Sequence, residues 1–565
     1  MNQPNGSGES WGTRLGVILA VTGSAVGLGN FLRFPGLAAQ YEGGAFMIPY
    51  AVAFLVLGLP IAWVEWAMGR YGGKHGFNST PGCYFVICNR SRPAAFAGVL
   101  GLLVPVMIYM FYVFIEAWCL GFAWKYLMGD PVLLGTDTTT KVTTGTYILD
   151  FVGINGNGSL FHNIFGSSLV HLLICFVLNF VLIYRGLSAG IEWFCKWAMP
   201  ALVICAVIVL VRVLTLPANP VNPDQNVLNG LGYMWNPGGI VQPELPVDAT
   251  ATSADVAAGA ATVVNEVAGE EAVTQEKKGL VVALMNPEIW LAAAGQIFFS
   301  LSVGFGVIIT YSSYLKKDDD VALSSLTAAA GNGFCEVALG GMILIPAAFV
   351  FLGVLDEKTL DSAFQLGFMV LPQVFAQMPG GQFFGFLFFF LLFLAAVTSS
   401  LSMLQPAIAF LEEGLVINRK MSVTILGFVT FMGAMFVVYF SEGLAALDAI
   451  DFWVATFCIY VLATIQVIIF GWVLGVDQGY EELMSGAEIK IHKSIKFVIK
   501  FVCPVFLLAI FTVWVIKSLP KRIENITHVE GLALGFIGIM LVFFLLLIAS
   551  ATKRWEKSGK GKVQS

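Results

Sequence analysis

The chain contains 565 residues, of which 58% are hydrophobic and 12% are charged, and its formal net charge is −6. Soluble domains carry about 25% charged residues, so this composition excludes an ordinary soluble protein and indicates an integral membrane protein. The nine cysteines occur singly and no basic face stands out, which argues against zinc, against a disulfide framework and against a nucleic-acid partner.

Apolar segments long enough to cross a bilayer recur along the whole chain. A transmembrane helix needs about 20 predominantly apolar residues, because the hydrocarbon core is roughly 30 Å thick. Twelve segments meet this requirement, which predicts an all-α integral membrane protein with twelve transmembrane helices. They lie near residues 13–37, 44–69, 94–127, 167–185, 191–215, 289–314, 321–353, 382–411, 421–440, 444–475, 494–516 and 529–550.

The basic residues predict the orientation of the chain. An even number of spans puts both termini on the same side of the membrane. The loop at 70–93, the region at 476–493 and the C-terminal tail are basic, which places that side in the cytoplasm by the positive-inside rule. The loop at 517–528 disagrees, since its basic residues fall on the predicted outside. We therefore expect a protein of the cell (inner) membrane with both termini cytoplasmic.

The first and sixth predicted spans are interrupted by glycines. Three glycines fall within Gly23–Asn30, and two fall within Gln296–Gly306. A glycine costs about 1 kcal/mol relative to alanine inside a helix, so these clusters favour local unwinding. Interruptions at matching places of two halves indicate a transporter built from inverted repeats, with the freed backbone lining a cavity. Close helix packing through small residues is the alternative interpretation.

These features predict a 5+5 inverted repeat with broken helices 1 and 6, followed by two appended helices. The long connection at 217–288 begins rich in Pro and Asn and then becomes an Ala/Val/Glu stretch of low complexity, which we interpret as an extracellular insertion. The predicted parts are a cytoplasmic N-terminus at 1–12, a first five-helix repeat at 13–215, the extracellular insertion at 216–288, a second five-helix repeat at 289–475, and helices 11 and 12 with the cytoplasmic C-terminus at 476–565.

The residues at the two interruptions resemble those of a known family. Ser24–Pro35 and Gly43–Tyr50 are similar to segments of the neurotransmitter:sodium symporter family, nearest its bacterial leucine-transporter branch. The resemblance implies a sodium-coupled symporter and not an enzyme. Its expected substrates are small neutral amino acids, mainly aliphatic ones, which it would carry by alternating access together with two sodium ions. Further matches are Gln296–Gly306, Asn332, Thr398–Ser400 and Asp451–Trp453.

Two sodium sites follow from the resemblance, and both consist mainly of neutral oxygen ligands, which suit a hard monovalent cation. The family usually has threonine where this chain has Ser300, whose hydroxyl keeps the ligand type. The first site would comprise the Ala25 carbonyl and the side chains of Asn30, Ser300 and Asn332, completed by the substrate carboxylate. The second site would comprise the carbonyls of Gly23, Val26 and Ala395 and the side chains of Thr398 and Ser399.

The resemblance also implies a substrate pocket. Half-helix N-termini would present unpaired N–H groups to the substrate, and Tyr112 would hold its carboxylate. The implied lining contains no charged side chain, so a neutral amino acid fits it best. Amine-transporting relatives have Asp where this chain has Gly27, which disfavours an amine substrate. The lining would consist of Ala25, Gly29, Ile108, Tyr112, Phe299, Ser300, Ser302, Phe305, Ser399 and Met403.

Glu336 lies one helical turn after Asn332 in the seventh predicted span. A carboxylate at membrane depth is costly and therefore indicates a function. Chloride-dependent relatives have serine at this position, and they bind the anion between groups that match Tyr50, Gln296, Ser300 and Asn332. We expect Glu336 to supply the negative charge itself, so that transport requires no chloride.

The resemblance assigns an outer gate and an inner gate. Arg33 and Asp451 match the pair that closes the outer vestibule above the substrate. The N-terminal arginine of the family's inner gate falls at Gly8, so we expect this gate to be built differently. Two further intramembrane carboxylates, Glu65 and Glu116, are expected to accept hydrogen bonds from unwound backbone N–H groups. The matching inner-gate residues are Trp11, Tyr314 and Glu413.

Several alternatives stay open at this point. Glycine-broken helices can also line a channel, although no charged ring or re-entrant pore loop is legible in the sequence. The same fold could serve as a sodium-dependent amino-acid sensor, or it could carry another small zwitterionic solute. Whether the protein forms a homodimer is left open, as is proton antiport through Glu336.

Overall fold

All regular secondary structure in the described part of the chain is helical. Gly8 and most of the predicted insertion at 216–288 lie outside that part, and the predicted domain boundaries stay predictions. The computed structural model describes residues 11–41, 43–136, 144, 146–237, 280–352 and 366–558.

Long apolar helices dominate these ranges. The chain starts with α1 (Arg14–Ala25) and α2 (Gly29–Gln40), which are bent by 48° at a short break. It continues through α3 (Gly44–Lys74), α4 (Arg92–Met128), α5 (Leu169–Tyr184), α6 (Leu187–Leu214), α7 (Pro287–Leu301), α8 (Val307–Ser313), α9 (Val321–Phe351), α10 (Gly381–Leu415), α11 (Arg419–Tyr439), α12 (Glu442–Met484), α13 (Ile495–Glu524) and α14 (His528–Ser558).

Nine of the helices in the described ranges are long and apolar enough to cross a membrane, and α1 with α2 makes a tenth candidate if the bent pair counts as one span. The protein is therefore a multi-pass membrane protein. The 16-residue helix α5 and the pair α7 and α8 occupy the places of the fourth and sixth predicted spans. The count of twelve spans and the inverted repeat stay predictions. Shorter helices in the connections are Thr80–Ile87, Tyr147–Phe151, Val227–Trp235, Leu280–Met285 and Leu371–Gln377.

Burial separates a central helix from peripheral ones. The apolar window of α4 is 94% buried, whereas the windows of α13 and α14 are each 28% buried. Apolar side chains without protein neighbours are stable in a membrane protein only against lipid. Helix α4 therefore lies at the centre of the bundle, and α13 and α14 lie at its edge.

The first interruption separates α1 from α2. Val26 ends α1 in an extended conformation, with φ −76° and ψ 95°. The freed backbone groups find partners, as a break at membrane depth requires. The Gly27 N–H donates to Asn30 Oδ1 at 2.9 Å, and the Leu28 N–H donates to the Tyr112 hydroxyl at 3.1 Å. The predicted unwinding of the first span is thus present in the structure.

The second interruption separates α7 from α8. Ser302, Gly304 and Gly306 all have positive φ angles, of 54°, 76° and 76°, and so end the helical conformation. The Gly304 N–H donates to Glu65 Oε1 at 2.9 Å. The expectation that Glu65 serves an unwound backbone group is therefore confirmed.

The same expectation is wrong for Glu116. Its carboxylate accepts hydrogen bonds from two side chains, Ser400 Oγ at 2.6 Å and Asn179 Nδ2 at 3.1 Å. The reason is its position on α4, which faces the intact helices α5 and α10 at this depth. Glu116 therefore joins α4, α5 and α10 by side-chain hydrogen bonds instead of binding the interrupted backbone.

Gly306 provides a test of the second interruption. Its φ of +76° disfavours a side chain, and a Cβ atom would lie 2.7 Å from both Gly101 O and Thr80 Oγ1. Gly306→Ala is expected to destabilise the fold by about 1–3 kcal/mol, the usual cost of a strained backbone site. The thermal midpoint of the detergent-solubilised protein should fall. The control is Gly538→Ala in α14, where an added Cβ atom would meet no other atom within 4 Å, and it should leave the midpoint unchanged or slightly higher.

Candidate functional site

A small cavity lies where the two interruptions meet, between α4 and α10. Its volume of about 10 Å³ is room for a single water molecule, so the surrounding side chains close tightly on each other. Nine of the ten residues predicted for the substrate pocket line it. The tenth, Ile108, is fully buried on α4 one turn before Tyr112 but is not part of this lining. The lining residues are Ser24, Ala25, Gly27, Gly29, Tyr112, Phe299, Ser300, Ser302, Phe305, Ser399 and Met403.

The ligands predicted for the first sodium ion form one cluster beside this cavity. The terminal amide group of Asn332 lies 2.6 Å from Ser300 Oγ, 2.8 Å from Asn30 Nδ2 and 3.1 Å from the Ala25 carbonyl oxygen. Asn30 and Asn332 are completely buried. Oxygen atoms of Ala25, Ser300 and Asn332, from α1, α7 and α9, thus lie together with the Asn30 side chain of α2. Asn30 turns its Nδ2 atom to this cluster and its Oδ1 atom to the Gly27 N–H. Neutral oxygen ligands of this kind suit a monovalent cation.

Glu336 borders this cluster on α9. Its Oε2 atom accepts hydrogen bonds from the Tyr50 hydroxyl at 2.5 Å and from Ser300 Oγ at 2.7 Å, and Oε1 accepts one from the Gln296 amide. The carboxylate is completely buried. The three donors are those that the resemblance assigns to chloride in relatives. Ser300 links them to the cluster, because it contacts both Glu336 and Asn332.

The ligands predicted for the second sodium ion lie between α1 and α10. Thr398 Oγ1 donates to the Ala395 carbonyl at 3.0 Å, and Ser399 Oγ lies 3.4 Å from the Gly23 carbonyl. A Cβ atom on Gly23 would lie 3.2 Å from Thr398 Cβ, which shows how closely the two helices approach. Val26 follows three residues later, at the end of α1. All five predicted residues therefore belong to one junction of α1 and α10.

The outer-gate residues are not in direct contact in this conformation. Arg33 donates to the Gly295 carbonyl at 3.3 Å and to Gln296 Oε1 at 3.5 Å. Its guanidinium carbon lies 5.2 Å from the centre of the Phe299 ring. Among the described residues, no ion pair joins Arg33 to Asp451. Arg33 therefore lies directly over an aromatic wall of the cavity, and its assignment to a gate stays a prediction.

The N-terminal end of α1 is anchored to its surroundings. Trp11 Nε1 donates to the Tyr311 carbonyl at 2.9 Å, and the two rings meet edge to face at 5.1 Å. Tyr314 lies at the C-terminal end of the same helix, α8. Trp11 therefore contacts α8 one turn before the tyrosine that the resemblance assigns to the inner gate.

Glu413 lies on α10 at the same end of the bundle. Its carboxylate accepts hydrogen bonds from the Asn78 N–H and from the Ser79 hydroxyl. Its backbone carbonyl accepts a hydrogen bond from Trp555 Nε1 of α14 at 3.3 Å. Glu413 therefore connects the loop after α3 to the last turn of α14. The grouping of Trp11, Tyr314 and Glu413 into one gate stays a prediction.

Sequence reasoning missed the charged groups that hold the start of α1. Arg14 forms ion pairs with Asp320 at 3.2 Å and with Glu488 at 2.5 Å. Glu192 accepts hydrogen bonds from the Gly12 N–H at 2.8 Å and from Thr13 Oγ1 at 3.0 Å. These contacts join positions more than 170 residues apart, and no local pattern marks such partners. They hold residues 12–14 against α6, α9 and the connection between α12 and α13.

The donor set favours a monovalent ion over a transition metal. Within the described ranges, no group of three or more His, Cys, Asp or Glu side chains is arranged to hold a metal ion. The first cluster instead offers hydroxyl, amide and carbonyl oxygens with Glu336 beside it, and the second offers hydroxyl and carbonyl oxygens. Hard cations of low charge prefer such ligands.

Comparison with known proteins places this geometry in context. A profile of the sodium:neurotransmitter symporter family matches residues 8–130 and 274–556. An uncharacterized sodium-dependent transporter of Methanocaldococcus jannaschii is 27% identical over 509 residues, which cover 89% of each chain. An uncharacterized sodium-dependent transporter of Haemophilus influenzae is 25% identical over 524 residues, which cover 90% of this chain and 99% of the relative.

The names of two further matches include an amino acid. A sodium- and chloride-dependent glycine transporter 2 of Xenopus laevis is 22% identical over 546 residues, which cover 85% of this chain and 61% of the relative. Among solved structures, the crystal structure of MhsT in complex with L-phenylalanine matches with a TM-score of 0.69 and 24% identity. That match covers 89% of this chain and 99% of the MhsT chain, and it shows a common fold.

Proposed function

The chain belongs to the sodium:neurotransmitter symporter family, and on that premise we propose that it is a sodium-coupled symporter of small neutral amino acids that requires no chloride. The premise makes it a sodium-dependent transporter and not an enzyme. The observation that carries the proposal is the convergence of two broken helices on one cavity, with neutral oxygen clusters on either side. Alternating access would open this cavity first to one side of the membrane and then to the other.

The chemistry of the cavity supports an amino acid as substrate. The Tyr112 hydroxyl and the backbone N–H groups at the first break are the groups that would bind a carboxylate. No charged side chain belongs to the lining, so a substrate with a charged side chain would be buried without a partner. Phe299, Phe305 and Met403 offer apolar contacts to an uncharged side chain. The neutral solutes in the names of the glycine transporter and of the MhsT complex agree with this choice.

Two sodium ions are assigned to the two oxygen clusters. Asn30, Ser300, Asn332 and the Ala25 carbonyl would bind the first ion, next to the substrate carboxylate. The second ion would lie at the junction of α1 and α10. Moving one charge through 100 mV is worth about 2.3 kcal/mol, so two ions with a neutral substrate gain about 4.6 kcal/mol from the voltage. This free energy supports accumulation by about three orders of magnitude.

Chloride independence rests on the surroundings of Glu336. Its carboxylate is completely buried and accepts hydrogen bonds from Tyr50, Gln296 and Ser300. A negative charge in this position can balance the first sodium ion, as chloride does in chloride-dependent relatives. A chloride ion at the same place would be strongly repelled by the negatively charged Glu336 carboxylate, because like charges in close contact repel each other strongly in a medium of low dielectric constant.

The test is uptake into proteoliposomes made with the purified protein. All twenty amino acids are supplied in radiolabelled form, with sodium outside or with choline in its place, and with chloride or gluconate as the anion. We expect saturable, sodium-dependent uptake of neutral aliphatic amino acids that is equal in chloride and gluconate. Binding without uptake would instead identify a sensor, and loss of uptake in gluconate would contradict the role of Glu336.

The proposal also covers the orientation of the protein. Both termini are placed in the cytoplasm and the protein in the cell membrane, because the basic loops at 70–93 and 476–493 lie on one side in the predicted topology. Labelling of single cysteines introduced into these loops, in cells and in inverted vesicles, would test the assignment.

A further inference from the structure

The C-terminal part of α13 contains the basic residues that disagree with the positive-inside rule. One of them, Arg522, has a specific partner in the structure. Its Nε atom donates to Glu530 Oε1 at 2.7 Å, and the side chains are 33% and 4% exposed, respectively. Glu530 lies in the first turn of α14. The carboxylate is therefore almost completely buried, and Arg522 is its charge partner.

The same carboxylate oxygen holds a second group. Trp453 Nε1 donates to Glu530 Oε1 at 2.8 Å, so one acceptor joins α12, α13 and α14. The guanidinium carbon of Arg522 also lies 4.9 Å from the centre of the Phe452 ring, within range of a cation–π interaction. We call Arg522, Glu530 and Trp453 the Glu530 clamp. It fixes the two residues that directly follow Asp451.

The backbone at this point needs external support. Residues Asp451–Cys458 form a π-helical stretch within α12. π-helical turns within α-helices are frequent at functional sites. Phe452 and Trp453, the two residues after Asp451, have contacts outside α12. The Glu530 clamp provides those contacts from the two peripheral helices.

We propose that Arg522 and Glu530 are positioning residues for the outer gate, which hold the Asp451 end of α12 in the orientation from which Asp451 closes over the substrate towards Arg33. This role rests on the proposed function and on the outer gate that the sequence predicts from Arg33 and Asp451. It assigns a task to the appended hairpin of α13 and α14, which lies outside the two predicted repeats. It also gives a role to Arg522, one of the basic residues on the predicted outer side.

The first measurement is release of tritiated L-leucine, a representative neutral aliphatic amino acid, from the purified protein in sodium. Arg522→Gln and Glu530→Gln should each speed release at least about five-fold, the lower range for coupling between two sites. Lys521→Gln removes a neighbouring charge of the same turn and should release L-leucine at the wild-type rate. Arg522→Lys keeps the positive charge but not the planar group over Phe452. Its release rate should lie between that of the wild type and that of Arg522→Gln.

The second measurement separates positioning from general stability. In an Asp451→Asn background, adding Arg522→Gln should change the release rate little further, because both substitutions act on the same gate. Additive effects on release would assign the clamp a merely structural role and overturn the inference.

The third measurement does not depend on the substrate. Hydrogen exchange of the amides at 451–458 should be faster in Arg522→Gln than in the wild type, and unchanged in Lys521→Gln. Equal exchange in the wild type and in Arg522→Gln would overturn the inference even if transport proceeds as proposed. If instead no amino acid binds in sodium while exchange responds as expected, the proposed function fails and the clamp stands as a support of α12 without a gate, which also overturns its gating role.

Discussion

Glu336→Gln is expected to lower sodium-dependent uptake roughly a hundred-fold or more at a fixed substrate concentration. The glutamine keeps the size of the side chain and an acceptor for Tyr50 and Ser300, but it removes the negative charge that we assign to the balance of the first sodium ion. Removing one member of a buried charge pair costs about 3–5 kcal/mol, which corresponds to at least two orders of magnitude in affinity. The loss should therefore appear first in the apparent affinity for sodium.

Glu336→Ser tests whether chloride can replace the negative charge of the Glu336 carboxylate. Its shorter side chain leaves the donors of Tyr50, Gln296 and Ser300 facing a space once filled by the carboxylate. Uptake by this variant should be low in gluconate and should recover in chloride, because chloride can take the place of the lost charge. Glu288→Gln, at an exposed position in the first turn of α7, serves as the control and should behave as the wild type in both anions. Equal uptake of Glu336→Ser in both anions would contradict the proposal.

Gly27→Ala is expected to weaken amino-acid binding roughly a hundred-fold while leaving the protein folded. A Cβ atom at Gly27 would lie 2.7 Å from both Ser399 Oγ and the Tyr112 hydroxyl. Both atoms are the tips of side chains that can move aside, so the fold can accept the methyl group. They are also the groups that we assign to the second sodium ion and to the substrate carboxylate. Overpacking by one methyl group and the loss of a charge-assisted hydrogen bond each cost about 1–3 kcal/mol.

The measurement for Gly27 combines sodium-dependent binding of L-leucine with the thermal midpoint in detergent. Binding should fall, and the midpoint should stay close to that of the wild type. Gly295→Ala is the matched control on the other broken helix, since the nearest atom to its Cβ position is the Tyr460 hydroxyl at 3.7 Å. It should bind normally. A Gly27→Ala protein that binds like the wild type would remove Tyr112 and Ser399 from the proposed site.

Local features of the sequence were sufficient to predict where the backbone of the site departs from a helix. The glycines at 27, 304 and 306 predict where the helices break, because the cost of glycine in a helix is a property of single positions. The short motifs around them carried the resemblance to the family, which the comparisons confirm. The resemblance also named nine residues that line one cavity.

Contacts between distant side chains were not predictable in this way. Ile108 lies one turn before Tyr112 on α4 and is fully buried, but it is not part of the cavity lining. Glu116 was assigned to unwound backbone, whereas Asn179 and Ser400 occupy its carboxylate. The partners of Arg14 are separated from it by more than 300 residues, and a single sequence gives no measure of such pairs. Of these charged residues, only Arg522 was marked in the sequence, because its positive charge lies on the predicted outer side, against the positive-inside rule.

Helix α14 contacts the surroundings of both predicted gates, through Glu530 at one end and through Trp555 beside Glu413 at the other. Its 31 residues extend over about 46 Å, well beyond a hydrocarbon core of roughly 30 Å, and most of its surface faces lipid. A thinner bilayer tilts a long helix further, at a cost of a fraction of a kcal/mol per Å of mismatch. Since one continuous helix makes both contacts, we expect the thickness of the surrounding lipid to affect both predicted gates at once.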